Sequence, residues 1–237
     1  MGHPAFAADR TAIITGAASG IGLAAVTALA DLGMAVAMLD LPGAALDQAA
    51  DRLRAAGRTV LPIGLDVADR AAMEEAARRV AAELPPATVA MNNAGMGVPS
   101  SALGTPEAWS RTLDVNFWGV LNGTQAFVPL LQAHGEAAAV VNTGSKQGIT
   151  TPPGNPAYNV SKAAVKAFTE ALAHELRSQP GGRVTAHLLI PGWVHTGMTA
   201  QAGAPKPAGA WTPEETVRFL LDRLEAGDFY VLCPDNE

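Results

Sequence analysis

Tyr158 and Lys162 stand four residues apart in Tyr-Asn-Val-Ser-Lys. The stretch reads as helix, so both side chains project from one face toward one site. A free phenol, with a pKa of roughly 10, carries protons poorly at neutral pH, whereas an ammonium beside it favours the phenolate and lowers that pKa. Tyrosine then becomes a usable general base. The same spacing also suits a solvated Tyr/Lys pair on a surface helix, so the elements that position the pair must decide.

At the other end of the chain Thr11 to Thr15, short, apolar and β-branched, reads as a buried strand running into Gly16-Ala17-Ala18-Ser19-Gly20-Ile21-Gly22. Leu23, Val26, Leu29 and Ala30 follow at helical spacing up to Gly33, and Met34 to Asp40 returns to a continuous apolar strand. In such a strand, turn, helix and strand unit, glycines let backbone amides approach a pyrophosphate, and the helix N-terminus adds partial positive charge. Asp40, 18 positions after Gly22, can accept hydrogen bonds from ribose hydroxyls and repel a 2′-phosphate. Ser19 in the turn and Leu41 after Asp40 supply no basic group for such a phosphate. NAD is therefore expected over NADP. Asp40 could alternatively cap the next helix, read as Pro42 to Gly57.

The 237 residues, 49% hydrophobic and 16% charged, suffice for a sizeable core and suggest one domain, residues 1–237. No apolar stretch approaches a membrane span, and Met1 to Arg10 lacks the basic and apolar regions of an export signal. Cys233 is the only cysteine, which suits a reducing, cytoplasmic setting. A net charge of −6 without a basic stripe argues against nucleic acid. Metals find little support: His174-Glu175 begins a zinc-helix motif, but Ser178 replaces its second histidine. Ser145 sits in no Gly-x-Ser-x-Gly elbow.

Onward, strands are expected at Thr59–Leu65, Thr88–Asn92, Ala137–Thr143, Arg183–Ile190 and Phe229–Cys233. Helices are expected at Asp69–Leu84, at Thr105 through about His134, from Asn155-Pro156 through the Tyr158 segment, and after Thr212 with its capping box. The alternation implies a doubly wound α/β fold, about seven parallel strands with helices on both faces. The irregular stretch from Gly197 to Ala210 reads as a mobile substrate loop.

With these residues in place, the chain resembles the classical short-chain dehydrogenases/reductases over nearly its whole length. Thr15-Gly-Ala-Ala-Ser-Gly-Ile-Gly22 resembles the family's cofactor turn, Asn92-Asn93-Ala94-Gly95 its Asn-Asn-Ala-Gly motif, and Tyr158-x-x-x-Lys162 its active-site pair, with Ser145 13 residues upstream. The resemblance implies a Rossmann-type sheet and a catalytic set of Asn116, Ser145, Tyr158 and Lys162. Asn116 would hold a water linking Lys162 to solvent, unless it is simply a polar helix residue satisfied by backbone. It further implies that Asp66, with Val67 beside it, contacts the adenine, that Pro191, Gly192, Val194 and Thr196 hold the nicotinamide amide, and that Gly16, Ser19, Gly20, Ile21, Gly22, Asp40, Leu41, Asn93, Ala94 and Gly95, with Tyr158 and Lys162, complete the cofactor site. Gly144 departs from the family's usual Ser or Ala before the serine. The chain also ends seven residues after Tyr230, short of the tail that in many relatives crosses a subunit interface or covers the active site. A homodimer or homotetramer built on residues 106–134 and 156–179 is implied.

The expected activity is NAD-dependent interconversion of a secondary alcohol and a ketone. The alternatives are an NADPH-dependent 3-oxoacyl-type ketoreductase and a catalytically silent NAD-binding scaffold. Candidate substrate contacts, from loops after strand C-termini, are Gly97, Gln147, Ile149, Trp193, His195, Met198 and Trp211. Trp193 and Trp211 could form an apolar slot or simply pack.

Overall fold

The computed structural model describes residues 3–199 and 205–234. The strands are β1 (Thr11–Thr15), β2 (Ala35–Asp40), β3 (Val60–Gly64), β4 (Ala87–Asn92), β5 (Ala138–Thr143), β6 (Val184–Ile190) and β7 (Tyr230–Leu232). They form one seven-stranded sheet in the order β3-β2-β1-β4-β5-β6-β7, every neighbouring pair parallel. The helices are α1 (Gly20–Asp31), α2 (Ala44–Ala55), α3 (Arg70–Glu83), α4 (Pro106–Leu113), α5 (Gly119–Gln132), α6 (Gln147–Thr150), α7 (Pro156–Ser178) and α8 (Pro213–Glu225).

Strand residues alternate between two faces. Ile14, Val36, Met38, Val89 and Val141 join Val26 and Leu29 of α1, Leu46 of α2 and Leu220 of α8 on one side. Ile13, Leu39, Ala90 and Val140 join Met73 of α3, Phe127 and Leu131 of α5 and Leu172 of α7 on the other. β1 is buried along its whole length, as an apolar run covered by helices on both faces must be. The chain order reverses between β1 and β4, which opens a crevice at their carboxyl ends.

Two expectations need correction. The helix read from Thr105 to His134 is not uniform: α4 gives way to a π-helical turn at Asp114–Trp118 before α5 begins. The extra residue per turn accommodates Asn116, which is fully buried and bonded to a neighbouring loop, and such bulges favour functional positions. The one-turn helix α6 falls where no helix was expected, and Thr151, in a left-handed conformation with φ of 46°, ends it. The Thr212 capping box is present, with bonds of 2.7 and 3.1 Å to Glu215. Of the expected loop at 197–210, residues 200–204 lie outside the described residues. Among the described residues no helix is long and apolar enough to cross a membrane.

A histidine pair, His187 buried and His3 partly buried, ties the first residues to the far side of the sheet. His187 on β6 meets the Asp228 carbonyl through Nδ1 and the Thr185 hydroxyl through Nε2, both at 2.8 Å. The His3 ring stands edge-on to it at 6.3 Å. Burial holds both histidines below the usual imidazole range, and mutual repulsion adds to this for His3. A folded-state pKa below the unfolded one means that the unfolded chain binds more protons below about pH 6.5. Stability should therefore be flat above that pH and decline beneath it, by at most about 1.4 kcal/mol per pH unit for each histidine. Urea titrations between pH 8 and pH 5 should show this decline, and His187→Gln should shrink it. An equal slope in the variant would place its origin elsewhere.

Candidate active site

α7 brings Tyr158 and Lys162 to the crevice because its first turn is fixed at three points. The Asn155 side chain caps the helix by accepting the Tyr158 N–H at 3.3 Å. The Ser100 hydroxyl donates to Asn155 Oδ1 at 2.7 Å and accepts the Ala157 N–H at 3.0 Å. With that turn held, the Tyr158 phenol is turned toward Ser145 in the loop after β5, near enough for the serine to act on its pKa. Lys162 Nζ, fully enclosed, donates to the Thr143 carbonyl at 2.8 Å and lies 5.8 Å from the centre of the Tyr158 ring.

The electrostatics differ from the sequence expectation. Burial pushes the Tyr158 phenol above its ordinary value, and the Ser145 hydrogen bond offsets part of this. Burial likewise pushes Lys162 down to about 8. Lysine was expected to lower the phenol's pKa, but its ammonium is spent on the Thr143 carbonyl, and desolvation outweighs attraction at that separation.

Asn116 reaches the same neighbourhood from the π-turn. Its Oδ1 accepts the Met96 N–H at 2.8 Å, and its Nδ2 donates to the Met96 carbonyl at 2.9 Å and to Ser161 Oγ at 3.0 Å. A methyl group on Gly95 would lie 3.4 Å from Asn116 Oδ1 and 3.5 Å from Lys162 Nζ. Gly95 therefore leaves open the gap between them.

From Tyr158 and Lys162 a cavity of about 980 Å³ runs across the carboxyl ends of the strands to the glycine turn and Asp40. It is lined by Gly16, Ser19, Gly20 and Ile21 of the turn, Asp40 and Leu41 after β2, Asp66 and Val67 after β3, and Asn93, Ala94 and Gly95 after β4. Pro191, Gly192, Val194, Thr196 and Met198 after β6 complete that wall. Asp40 does not cap α2, whose N-cap is Gly43. Its carboxylate instead accepts the Ala18 N–H at 2.8 Å and the Leu41 N–H at 2.7 Å, which locks it at the cavity edge.

These residues fit an extended dinucleotide. Left-handed glycines at 16 and 20, with φ of 67° and 53°, bare the backbone beside the start of α1, where an anion is favoured. A methyl at Gly16 would sit 2.9 Å from Ala94 Cα, so side chains cannot fill this approach.

Other expected contacts lie elsewhere. Gly22 faces inward, and a methyl there would be 1.9 Å from the Gly16 carbonyl oxygen, so it is a packing glycine rather than a cavity wall. Trp193 and Trp211 border a separate cleft of about 220 Å³. They pair through the Trp211 N–H and Trp193 carbonyl at 2.9 Å, and the Trp211 ring packs edge-on against Phe219 at 5.6 Å. Gln147, Ile149 and His195 do not line the main cavity, and Ile149 is half exposed. Gly97 lies outside that wall too, although a methyl on it would reach within 3.9 Å of the Tyr158 ring.

Several contributors escaped the sequence reading. The Thr15 hydroxyl accepts the N–H groups of Asn93 and Ala94 at 2.9 and 3.0 Å, which fixes the loop after β4 to the end of β1. Its place as the last β1 residue before the glycine turn was a usable signal. Glu107, Ser110, Arg111 and Asp114 of the α4 region also line the cavity, and nothing local to their sequence marks them.

Residues 10–207 match the short chain dehydrogenase family. Over 231 residues the chain is 35% identical to a 1-deoxy-11-beta-hydroxypentalenate dehydrogenase of Streptomyces avermitilis, covering 93% of this chain and 83% of that protein. Among solved structures, a short chain dehydrogenase/reductase from Burkholderia phymatum in complex with NAD superposes with a TM-score of 0.89 at 30% identity, over 96% of this chain and 89% of that one. An NADPH-bound short chain oxidoreductase from Pseudomonas aeruginosa with an atypical catalytic center gives a TM-score of 0.75 at 32% identity, over 81% and 74% of the two chains. The chain spans only 38% of the length of the mycobacterial oxidoreductases that it matches at 34% identity. The family match, the parallel seven-stranded sheet and the crevice that carries Tyr158 and Lys162 lead to one assignment: the chain belongs to the short-chain dehydrogenase/reductase family of oxidoreductases.

Proposed function

We propose that the protein is an NAD-dependent dehydrogenase that interconverts a secondary alcohol and a ketone, with Tyr158 as the proton-transferring group. The observation that carries this reading is the Tyr158 phenol, set close to Ser145 and beside a buried Lys162 at one end of a cavity whose other end is a glycine turn. A bound nicotinamide dinucleotide supplies the hydride acceptor or donor. During oxidation the substrate hydroxyl gives its proton to Tyr158 as its carbon loses hydride, and Ser145 orients the reacting oxygen by hydrogen bonding. Lys162, held by the Thr143 carbonyl, keeps a cation behind the ring at neutral pH and favours the phenolate as charge develops there. Gly16, Gly20 and the start of α1 would hold the pyrophosphate, and Asp40 the adenosine ribose.

Asp40 supports NAD over NADP. Backbone bonds fix its carboxylate at the cavity edge, and Leu41 beside it, 62% exposed, offers no positive charge. The NADPH-dependent ketoreductase reading draws one support from Arg111, which lines the cavity from α4. Replacing Asp40 by Ala together with Leu41→Arg should move the ratio of NAD to NADP affinity by at least about tenfold toward NADP, since repulsion is exchanged for a phosphate ligand. Titration of both cofactors by calorimetry measures this, and an unchanged ratio would remove Asp40 from cofactor selection.

A further inference from the structure

We propose that Ser161 is a positioning residue that couples the π-turn to the turn of α7 carrying Tyr158 and Lys162; this inference rests on the oxidoreductase reading above. The Ser161 side chain is fully buried, and its hydroxyl makes two bonds that point to different elements. It donates to the Tyr158 carbonyl at 2.8 Å and accepts from Asn116 Nδ2 at 3.0 Å.

A helical serine often back-bonds to a carbonyl in the preceding turn, and that bond alone would be unremarked. The second bond is different, because its donor sits on the one turn where the long helix leaves α geometry. Asn116 Nδ2 spends its two protons on the Met96 carbonyl and Ser161 Oγ, and its Oδ1 takes the Met96 N–H. The amide is thereby satisfied only while the loop after β4, the π-turn and α7 hold their present spacing. Ser161 is the α7 member of that three-way joint, one residue before Lys162. Its hydroxyl proton is committed to a carbonyl, which leaves its lone pairs for Asn116. Among smaller or apolar residues none could both donate and accept here.

Loss of the hydroxyl leaves one Asn116 proton without its partner in a dry place, and such a group recovers a partner by moving. The movement displaces Tyr158 and Lys162 relative to Ser145. Errors below an ångström at a reacting centre are expensive, so turnover should fall by roughly tenfold while cofactor affinity holds.

The test uses the full chain with NAD and compares wild type, Ser161→Ala, Ser161→Thr, which keeps the hydroxyl, and Ser161→Cys in case the alanine variant folds poorly. Hydrogen exchange should accelerate by about tenfold in residues 114–118 and 158–162 together for Ala and Cys, and return toward wild type for Thr. With a panel of secondary alcohols, kcat should fall with little change in the KM for NAD. In an Asn116→Ala background, Ser161→Ala should cost little more, since the coupling is already cut. Faster exchange confined to α7, or full additivity with Asn116→Ala, would overturn the proposal. The exchange measurement needs no turnover, so it stands even if Tyr158→Phe proves active and the base assignment itself fails.

Discussion

Tyr158→Phe is expected to abolish turnover while leaving NAD affinity within about twofold of wild type. The phenyl ring keeps the place of the phenol near Gly97 in the loop after β4, so the fold and the glycine-turn end of the cavity should be untouched. What is lost is the hydroxyl that is turned toward Ser145. A positioned acid–base group usually contributes about 10²–10⁴ in rate. Lys162 is a poor substitute, because its Nζ is engaged by the Thr143 carbonyl. The pH dependence gives a second reading of the same variant. Oxidation by wild type should quicken as pH rises, since burial holds the phenol above its ordinary pKa and the base form grows with pH. The phenylalanine variant should lose that rise. Assay of secondary alcohols and ketones by reduced-nicotinamide absorbance decides the matter, and a variant within about tenfold of wild type would refute the base assignment.

Much of this site was legible because its parts depend on local rules. The i, i+4 spacing of Tyr158 and Lys162 needs only a helix, and Asn155-Pro156 announces its start by a capping side chain and a proline at the first position. The glycine turn is readable because left-handed conformations at Gly16 and Gly20 favour glycine. The element order follows from hydrophobic runs of strand length alternating with helical spacing, and the boundaries differ from the observed ones by only a residue or two at most strands.

What escaped depends on partners distant in sequence. Asp114 to Trp118 keeps a helical rhythm of apolar residues, so nothing local betrays the π-turn; its cause is the pull of Met96 and Ser161 on the Asn116 amide, 20 and 45 residues away. Gly123 looks like an ordinary weakness in a helix, yet a methyl there would lie 2.0 Å from Asn92 Oδ1. That contact exists only because α5 crosses β4 closely, above a chain of bonds from Asn92 to Asn142 and Thr169. Trp193 and Trp211 invited a role as a substrate slot because large aromatics near strand ends often line pockets. Their backbone pairing and the Phe219 contact turn them to a different cleft.

Gly22→Ala should be the most damaging small change outside the catalytic set. The residue belongs to the first turn of α1, and a methyl on it would be placed 1.9 Å from the Gly16 carbonyl oxygen and 2.7 Å from Asn93 Nδ2. The obstacle is mainly backbone, so it cannot swing aside as a flexible side chain would. Either α1 backs away from the sheet or the turn at Gly16 is pushed outward, and that turn is already tight, since a carbon built on Gly16 would lie 2.9 Å from Ala94 Cα. Overpacking usually costs about 1–3 kcal/mol, and a backbone obstacle belongs at the upper end. For a chain of this size about 3 kcal/mol corresponds to a fall in Tm of roughly 6–12 °C. The amides that the turn presents would shift with it, so NAD affinity should fall by at least about tenfold. Gly197→Ala supplies the control for stability alone, since a methyl there meets nothing within 4 Å and its backbone lies outside the left-handed region, whereas its place on the cavity wall leaves wild type as the reference for affinity. Thermal unfolding with calorimetric titration of NAD separates the two effects. If Gly22→Ala matched Gly197→Ala in Tm and wild type in NAD affinity, the close approach of α1 to the turn would carry neither stability nor cofactor binding, and the glycine would owe its place to something other than packing.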